Sequence, residues 1–257
     1  MDGISPVMLS TLEDGTLVRS LEGLPLEGPV LYVGYHMLMG FDLIPMVTQI
    51  MKERNIHLRC LIHPMVFKNL QDSLVDTKMF DKYKIMGGVP VSSFNIYKLL
   101  REKAHVLLYP GGAREALHRK GEEYKLFWPE RSEFVRVASK FGARIVPFGV
   151  VGVDDICQET RANWETKISA SQEWYGPKIP GRFYYYFGKP IETAGKEKEL
   201  KDKDKAQELY LQVKYEVEQC LAYLKVKRES DPYRYLLPRM LYQASHGWSS
   251  EIPTFDL

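Results

Sequence analysis

Cysteine is scarce in this chain. Three residues, Cys60, Cys157 and Cys220, lie far apart in 257 positions and form no C-x-x-C pair. An odd number of widely spaced cysteines without C-x-x-C pairs favours a reducing compartment over a disulfide framework or a zinc site. No H-E-x-x-H motif and no other cluster of cysteine and histidine occurs, so the sequence predicts no metal site.

An excess of charge of one sign is also missing. The 35 Lys and Arg residues nearly balance the 33 Asp and Glu residues, which leaves a formal net charge of +2. Nucleic-acid-binding proteins usually carry a basic patch or stripe, and none is visible here. We therefore expect no nucleic-acid partner.

Long hydrophobic runs are absent as well. The longest apolar stretch near the N-terminus, "FDLIPMVTQIM" (41–51), contains an aspartate. It is far shorter than the roughly 20 residues that span a bilayer. The first residues, "MDGISPVMLSTLEDG", show neither a signal-peptide pattern nor the Arg/Ser richness of a transit peptide. As printed, the chain is expected to be soluble or peripheral to a membrane.

Several catalytic motifs are missing too. The chain has no G-x-S-x-G motif, which argues against the serine mechanism of α/β-hydrolases. It has no Walker loop, and no G-x-G-x-x-G follows a strand, so nucleotide binding has no support.

The apolar segments predict a layered α/β fold. Five runs read as strands: "PVLYVGY", "IHLRCLI", "AHVLLYP", "ARIVPFGVVG" and "RFYYYFG". Three of them are almost continuously apolar, as expected of strands that helices cover on both faces of a mostly parallel sheet. Helical patterns lie at 42–54, 95–103 and 131–141. Pro147, inside the fourth run, suggests that this strand lies at an edge or ends there.

The C-terminal third has a different pattern. Apolar residues recur at helical spacing from Leu200 to about Lys227, which predicts one long amphipathic helix. We expect a single domain over 1–257, with a flexible loop at about 155–178 and a C-terminal helical part at about 196–246.

His36 is the first candidate catalytic residue. In "VLYVGYHMLMGFDL" (30–43), it follows a predicted strand, and Asp42 begins the next helical segment. Functional residues of parallel sheets gather at the carboxyl ends of strands, and a neutral histidine there can accept a proton from an alcohol. Six residues of helix would place the two side chains roughly 240° apart, so His36 must lie in the turn before the helix if Asp42 is to orient it. A structural histidine is the alternative.

A glycine turn is the second candidate site. In "HVLLYPGGAREALH" (105–118), a buried strand breaks at Pro110, turns on Gly111 and Gly112, and leads into a helical segment with Arg114. Paired glycines let the backbone approach a ligand closely, and free N–H groups favour an anion such as a phosphate or a developing oxyanion. An ordinary turn between a strand and a helix is the alternative.

These segments, in this order, resemble the glycerolipid acyltransferase superfamily, and specifically the diacylglycerol acyltransferase-like domain of plant phytyl ester synthases. The resemblance rests on the His36 segment, the Gly-Gly-Val-Pro turn (87–90), "PGGAREALHRKGEEYKLFWPERSEFVRVA", "IVPFGVVGVDD" and "KIPGRFYYYFGKPIET". It covers the chain from about Thr11 to the C-terminus. Family members typically also carry a plastid transit peptide and an N-terminal hydrolase-like domain, and we expect neither within the sequence as printed.

The resemblance implies an acyltransferase-like fold and activity. A fatty acyl group would pass from acyl-CoA or acyl carrier protein to a lipid alcohol, phytol or diacylglycerol, without a cofactor. His36 would be the general base, oriented by Asp42. The substrates would bind at Pro110, Gly111, Gly112, Arg114 and Glu115. The resemblance also implies a chloroplast location, at plastoglobules, and peripheral contact with a membrane or lipid droplet.

The chain departs from the superfamily in three places. Tyr35 precedes His36 where asparagine is usual, and five residues separate His36 from Asp42 where four are usual. The arginine of the superfamily's second block has no counterpart in "GGVPVSS" (87–93), which favours a neutral alcohol over a phosphorylated acceptor. Two alternative functions stay open: a thioesterase or lipase in which His36 activates water, and an inactive lipid-binding remnant.

Overall fold

A computed structural model describes residues 5–67, 83–119, 121–130, 133–152 and 181–257 of the chain. The predicted flexible loop at 155–178 and Cys157 lie outside these residues. No helix among the described residues is both long and apolar enough to cross a membrane.

The core of the described structure is one eight-stranded sheet with the order β2-β1-β8-β7-β3-β6-β4-β5. Neighbouring strands are parallel except for two antiparallel pairs, β1 with β2 and β7 with β8. The predicted mostly parallel sheet is therefore confirmed. The strands are β1 (Val7–Thr11), β2 (Leu17–Val18), β3 (Val30–Gly34), β4 (Leu58–Ile62), β5 (Val89–Pro90), β6 (His105–Leu108), β7 (Arg144–Val151) and β8 (Tyr184–Phe187).

All five predicted strands are present, as β3, β4, β6, β7 and β8. The sequence pattern missed β1, β2 and β5. Two of these have only two residues each, too few to show a periodicity. β1 ends in Ser10 and Thr11, which are polar although both are buried.

The position of Pro147 corrects the prediction of a strand edge. β7 lies inside the sheet, between β8 and β3. Ile145, two residues earlier, exchanges hydrogen bonds with Ile191 on the β8 side, so the missing N–H of Pro147 also faces that side. There the regular pairing with β8 begins only at Phe148. Proline is tolerated because it stands at this interruption, and its carbonyl still accepts the Gly188 N–H at 2.8 Å.

Helices cover the sheet. Those with described bounds are α1 (Leu43–Arg54), α2 (Ser93–Arg101), α3 (Gly112–Ala116), α4 (Phe134–Lys140), α5 (Lys203–Glu229) and α6 (Leu236–His246). The predicted long C-terminal helix is confirmed as α5, which starts where the Asp202 side chain accepts the N–H groups of Asp204 and Lys205. α5 packs so closely on β7 that a Cβ on Gly149 would lie 2.8 Å from the Leu221 nitrogen.

The register of the central strands places the candidate residues together. β3 and β6 are parallel neighbours, with Val33 opposite Leu108. The chain leaves both strands at the same edge of the sheet, so the segment that carries His36 and the glycine turn after β6 emerge side by side. This carboxyl edge is where ligands bind in open α/β sheets.

Candidate active site

His36 lies two residues beyond the end of β3 and is partly exposed. Its imidazole packs against the Tyr109 ring, with 4.3 Å between the ring centroids. Its Nδ1 lies 2.9 Å from the carbonyl oxygen of Met37. A Cβ on Gly40 would approach His36 Cε1 to 3.3 Å, so the turn between β3 and α1 wraps closely around the ring.

The Met37 contact fixes which ring nitrogen can act as a base. A carbonyl oxygen only accepts hydrogen bonds, so Nδ1 must carry the proton and Nε2 keeps its lone pair. No partner for Nε2 is found among the described residues. Burial lowers the pKa of His36 to about 4, and the Met37 hydrogen bond only partly opposes this effect. The ring is therefore neutral at physiological pH, and the Nε2 lone pair is unprotonated.

Asp42 occupies a different position from the one that we expected. It immediately precedes α1 and is completely buried. Its Oδ2 accepts a 2.9 Å hydrogen bond from the Tyr109 hydroxyl, and its main-chain carbonyl accepts one from Tyr185 at 2.9 Å. Within the described residues, no hydrogen bond joins Asp42 to His36. The two are connected through Tyr109, which bonds to one and packs against the other.

The Asp42 carboxyl group is only half satisfied. Its Oδ1 is buried and has no hydrogen-bond partner among the described residues. Burial raises the pKa of Asp42 to about 7, although the Tyr109 hydrogen bond acts in the opposite direction. A carboxyl group in this position is close to half protonated at neutral pH, so it is a weak electrostatic partner for a developing imidazolium.

The glycine turn follows β6 as predicted, but the helix after it is short. α3 has five residues, so its dipole adds little to anion binding. Gly112 has a φ of +49° and donates its N–H to the Tyr109 carbonyl at 3.1 Å. The N–H groups of Gly111 and Ala113 have no acceptor in the described part of the chain. They are the candidate donors to an oxyanion.

Arg114 is held by two neighbours. Its guanidinium donates two hydrogen bonds to the Glu122 carboxylate, at 2.9 and 2.7 Å, and its Cζ lies 3.8 Å from the centroid of the Phe127 ring. These hydrogen bonds lower the pKa of Glu122 to about 2. Arg114 remains 45% exposed, so an anionic ligand could reach it by displacing Glu122.

Glu115 requires a correction to its predicted role. We expected it to bind substrate, but it has no exposed surface. Its Oε2 accepts the His36 N–H at 2.9 Å, and its Oε1 accepts the Phe127 N–H at 2.8 Å. The carboxylate therefore contacts the protein backbone on both sides. Pro110, by contrast, lies in the turn and is partly exposed.

Sequence reasoning missed Tyr109, which touches both members of the predicted pair. The only signal was its position as the last aromatic residue of the "HVLLYP" run. Ser92, in the "GGVPVSS" segment, has a structural role: its hydroxyl caps α2 by accepting the Asn95 N–H at 3.1 Å. No group of three or more potential metal ligands occurs among the described residues.

The segments that form this site lie within a region that matches a known protein family. Residues 30–191 match the family model described as diacylglycerol acyltransferase. The chain belongs to this family. The match begins at the first residue of β3 and includes His36, Asp42 and the whole glycine turn.

Two relatives from Arabidopsis thaliana cover nearly all of the chain. It is 77% identical to phytyl ester synthase 2, chloroplastic, over 100% of its own length and 41% of the relative's. It is 46% identical to phytyl ester synthase 1, chloroplastic, over 99% of its own length and 40% of the relative's. The chain thus spans about two fifths of the length of these relatives.

A solved structure supports the fold. The 1-acyl-sn-glycerophosphate acyltransferase PlsC from Thermotoga maritima aligns with a TM-score of 0.51, covering 86% of this chain and 73% of that one. At 12% identity the likeness concerns the fold alone, and it confirms the predicted acyltransferase-like architecture.

Proposed function

We propose that the chain is an O-acyltransferase that moves a fatty acyl group from a thioester to a lipid alcohol. The observation that carries the proposal is a neutral histidine with a free Nε2, connected through the Glu115 carboxylate to a glycine turn at the same edge of the sheet. Family membership and the relatives' names, which specify phytyl ester synthesis, point to the same reaction.

The reaction needs a base and an oxyanion site. The alcohol oxygen attacks the thioester carbonyl carbon while His36 Nε2 takes the hydroxyl proton. The carbonyl oxygen becomes negative and would be stabilised by the free N–H groups of Gly111 and Ala113. The carbon–sulfur bond then breaks, and the leaving thiolate recovers the proton from His36. The products are an ester and a free thiol, and no cofactor is required.

Two groups have orienting roles in this proposal. The Met37 carbonyl selects the tautomer of His36, the task that we expected of Asp42. Asp42 would act indirectly by holding Tyr109, whose ring lies against the imidazole. Arg114 would contact a phosphate of acyl-CoA or acyl carrier protein once it leaves Glu122.

The acceptor we propose is a neutral lipid alcohol, phytol or diacylglycerol. The arginine of the superfamily's second block is replaced here by "GGVPVSS", so that block brings no cation for a phosphorylated acceptor. The names of both relatives include "chloroplastic", and we propose a chloroplast location, at plastoglobules, for the protein that contains this chain.

We also propose that the protein touches a lipid surface through α6. Leu237 (64% exposed) and Leu241 (62%) lie one helical turn apart on α6, Trp248 (62%) follows just beyond the helix, and no acidic residue occurs between 232 and 250. Arg182, just before β8, donates its N–H to the Arg234 carbonyl, which places the start of α6 near the carboxyl edge. In vesicle flotation, Leu241→Gln should weaken binding while the exposed control Leu211→Gln on α5 should not; equal binding of both variants would contradict this contact.

One experiment separates the proposed function from its two alternatives. The pure protein is incubated with labelled acyl-CoA and either phytol or diacylglycerol, and the products are resolved by mass spectrometry. Labelled ester is the expected result. Free fatty acid without ester would indicate a thioesterase or lipase in which His36 activates water, and unchanged donor would indicate an inactive lipid-binding protein.

A further inference from the structure

The Glu115 carboxylate joins two segments that are distant in the sequence. Its two oxygens accept the main-chain N–H groups of His36 and Phe127 at 2.9 and 2.8 Å, and the side chain is completely buried. His36 belongs to the loop after β3, whereas Phe127 lies beyond α3. Because each oxygen has its own N–H donor, the contact fixes the orientation of the carboxylate as well as its position.

Gly111 has a specific relation to this carboxylate. Its φ of −75° and ψ of −18° are ordinary right-handed helical values, which alanine adopts readily. The backbone conformation therefore does not require glycine. A Cβ at this position, however, would lie 2.1 Å from the Glu115 carboxyl carbon and 2.3 Å from its Oε1. The side chain of Glu115 occupies the space that a residue larger than glycine would need.

We propose that Glu115 is a positioning residue that fixes the His36 main chain beside the glycine turn, and that Gly111 lacks a side chain to make room for it. Gly111 and Glu115, in the "GGARE" segment (111–115), then act together: the glycine leaves room for the carboxylate, and the carboxylate holds His36, 79 positions earlier. The inference rests on the proposed function and gives it a further residue.

The chemistry at this position favours a carboxylate over other side chains. An apolar residue of similar size would leave the N–H groups of both His36 and Phe127 without an acceptor, which is unfavourable in the protein interior. Glutamine would offer one acceptor, but its NH₂ group would face the second N–H donor. Burial raises the pKa of Glu115 to about 7, and the hydrogen bonds from His36 and Phe127 oppose this shift. These hydrogen bonds favour the ionised form.

The first test compares Glu115→Gln with Glu133→Gln. Glu133 is a matched control because its carboxylate is exposed and, among the described residues, pairs with Arg136 at the start of α4. Misplacing a catalytic group by about 1 Å can cost ~100-fold in rate. We therefore expect Glu115→Gln to lower kcat by about 10- to 100-fold with KM within about twofold, while Glu133→Gln keeps both. If Glu115→Gln is folded and keeps kcat within about twofold, the proposal is wrong.

The second test is a double-mutant cycle with Gly111→Ala and Glu115→Ala. Gly111→Ala alone should lower kcat, because the new methyl group displaces the carboxylate. In the Glu115→Ala background the Glu115 atoms that lie closest to the new methyl group are gone, so adding Gly111→Ala should change kcat by less than about twofold. If the kcat of the double variant instead falls by the product of the two single effects, the two residues act independently, and the proposed link between Gly111 and Glu115 is wrong.

Hydrogen exchange at the His36 amide is the readout that needs no substrate. Glu115→Gln should speed exchange in the peptide that contains His36 and leave the Leu58–Ile62 peptide of β4 unchanged. If the parent protein forms no ester, the proposed function fails, and this exchange alone decides whether Glu115 holds His36. If the parent forms ester and exchange at His36 is unaltered, the proposed function stands and the positioning role is wrong.

Discussion

The hydroxyl of Tyr109 donates a 2.9 Å hydrogen bond to the buried Oδ2 of Asp42. This contact explains how Asp42 can influence the candidate base without touching it, because the Tyr109 ring also packs against His36. The Met37 carbonyl selects the tautomer of His36, so Asp42 is not needed for that task. Asp42 instead holds the Tyr109 ring that packs against the imidazole.

Removing this hydroxyl should destabilise the protein. Tyr109→Phe would leave both oxygens of the Asp42 carboxyl group unpaired in the interior, so we expect the free energy of unfolding to fall by about 1–3 kcal/mol. Tyr97→Phe is the control, since no hydrogen bond of the Tyr97 hydroxyl is found among the described residues. Urea unfolding of both variants measures the difference, and equal stabilities would contradict the account of Asp42.

Stability should also depend on pH through Asp42. Its folded-state pKa of about 7 lies above its ordinary value of about 3.8. From about pH 4 to pH 7 the unfolded chain releases a proton that the folded chain keeps, so this group lowers the free energy of unfolding as pH rises. Asp42→Asn removes that contribution. The pKa of Glu115 is also raised by burial, but its contribution to the pH dependence of stability is the same in the parent and in the variant.

The expected result is a variant that gains stability relative to the parent between pH 4 and pH 7. Urea unfolding at several pH values gives the difference between the two proteins. A difference that stays constant over this range would mean that Asp42 ionises normally in the folded state.

Arg114 should matter only for donors that carry a phosphate. Arg114→Lys keeps the charge but loses the two-pronged geometry that fits a phosphate. We expect KM for acyl-CoA to rise about tenfold, the lower end of what a charged hydrogen bond contributes. KM for a phosphate-free acyl thioester should stay the same. Arg136→Lys, at an exposed ion pair on α4, is the control, and equal changes with both donors would show that Arg114 does not bind the phosphate.

The sequence predicted which segments meet, because that depends on regular structure. Two apolar runs without alternation indicate neighbouring parallel strands, and parallel strands bring His36 and Gly111 to the same edge. The position of α5 follows equally from its apolar spacing. Pro147 was misjudged because the interruption that tolerates it lies between Ile145 and Phe148, and depends on a distant segment around Ile191.

The contacts within the site could not be predicted from the sequence. The Met37 carbonyl reaches His36 Nδ1 only because of the backbone path of the turn after β3, which no residue pattern specifies. Glu115 looked like a ligand-binding residue because it follows two glycines and an arginine. Its burial depends on how the chain returns at Phe127, 12 residues later.

Mass-spectrometric comparison of ester formation by the parent protein and His36→Ala is the most direct test of the central claim, that His36 removes the acceptor proton. Both are incubated with labelled acyl-CoA and phytol or diacylglycerol, and circular dichroism verifies that the variant is folded. Because a general base contributes about 10²–10⁴-fold, the variant should form ester at least ~100 times more slowly. A folded His36→Ala variant that forms ester at the parent rate would contradict the mechanism.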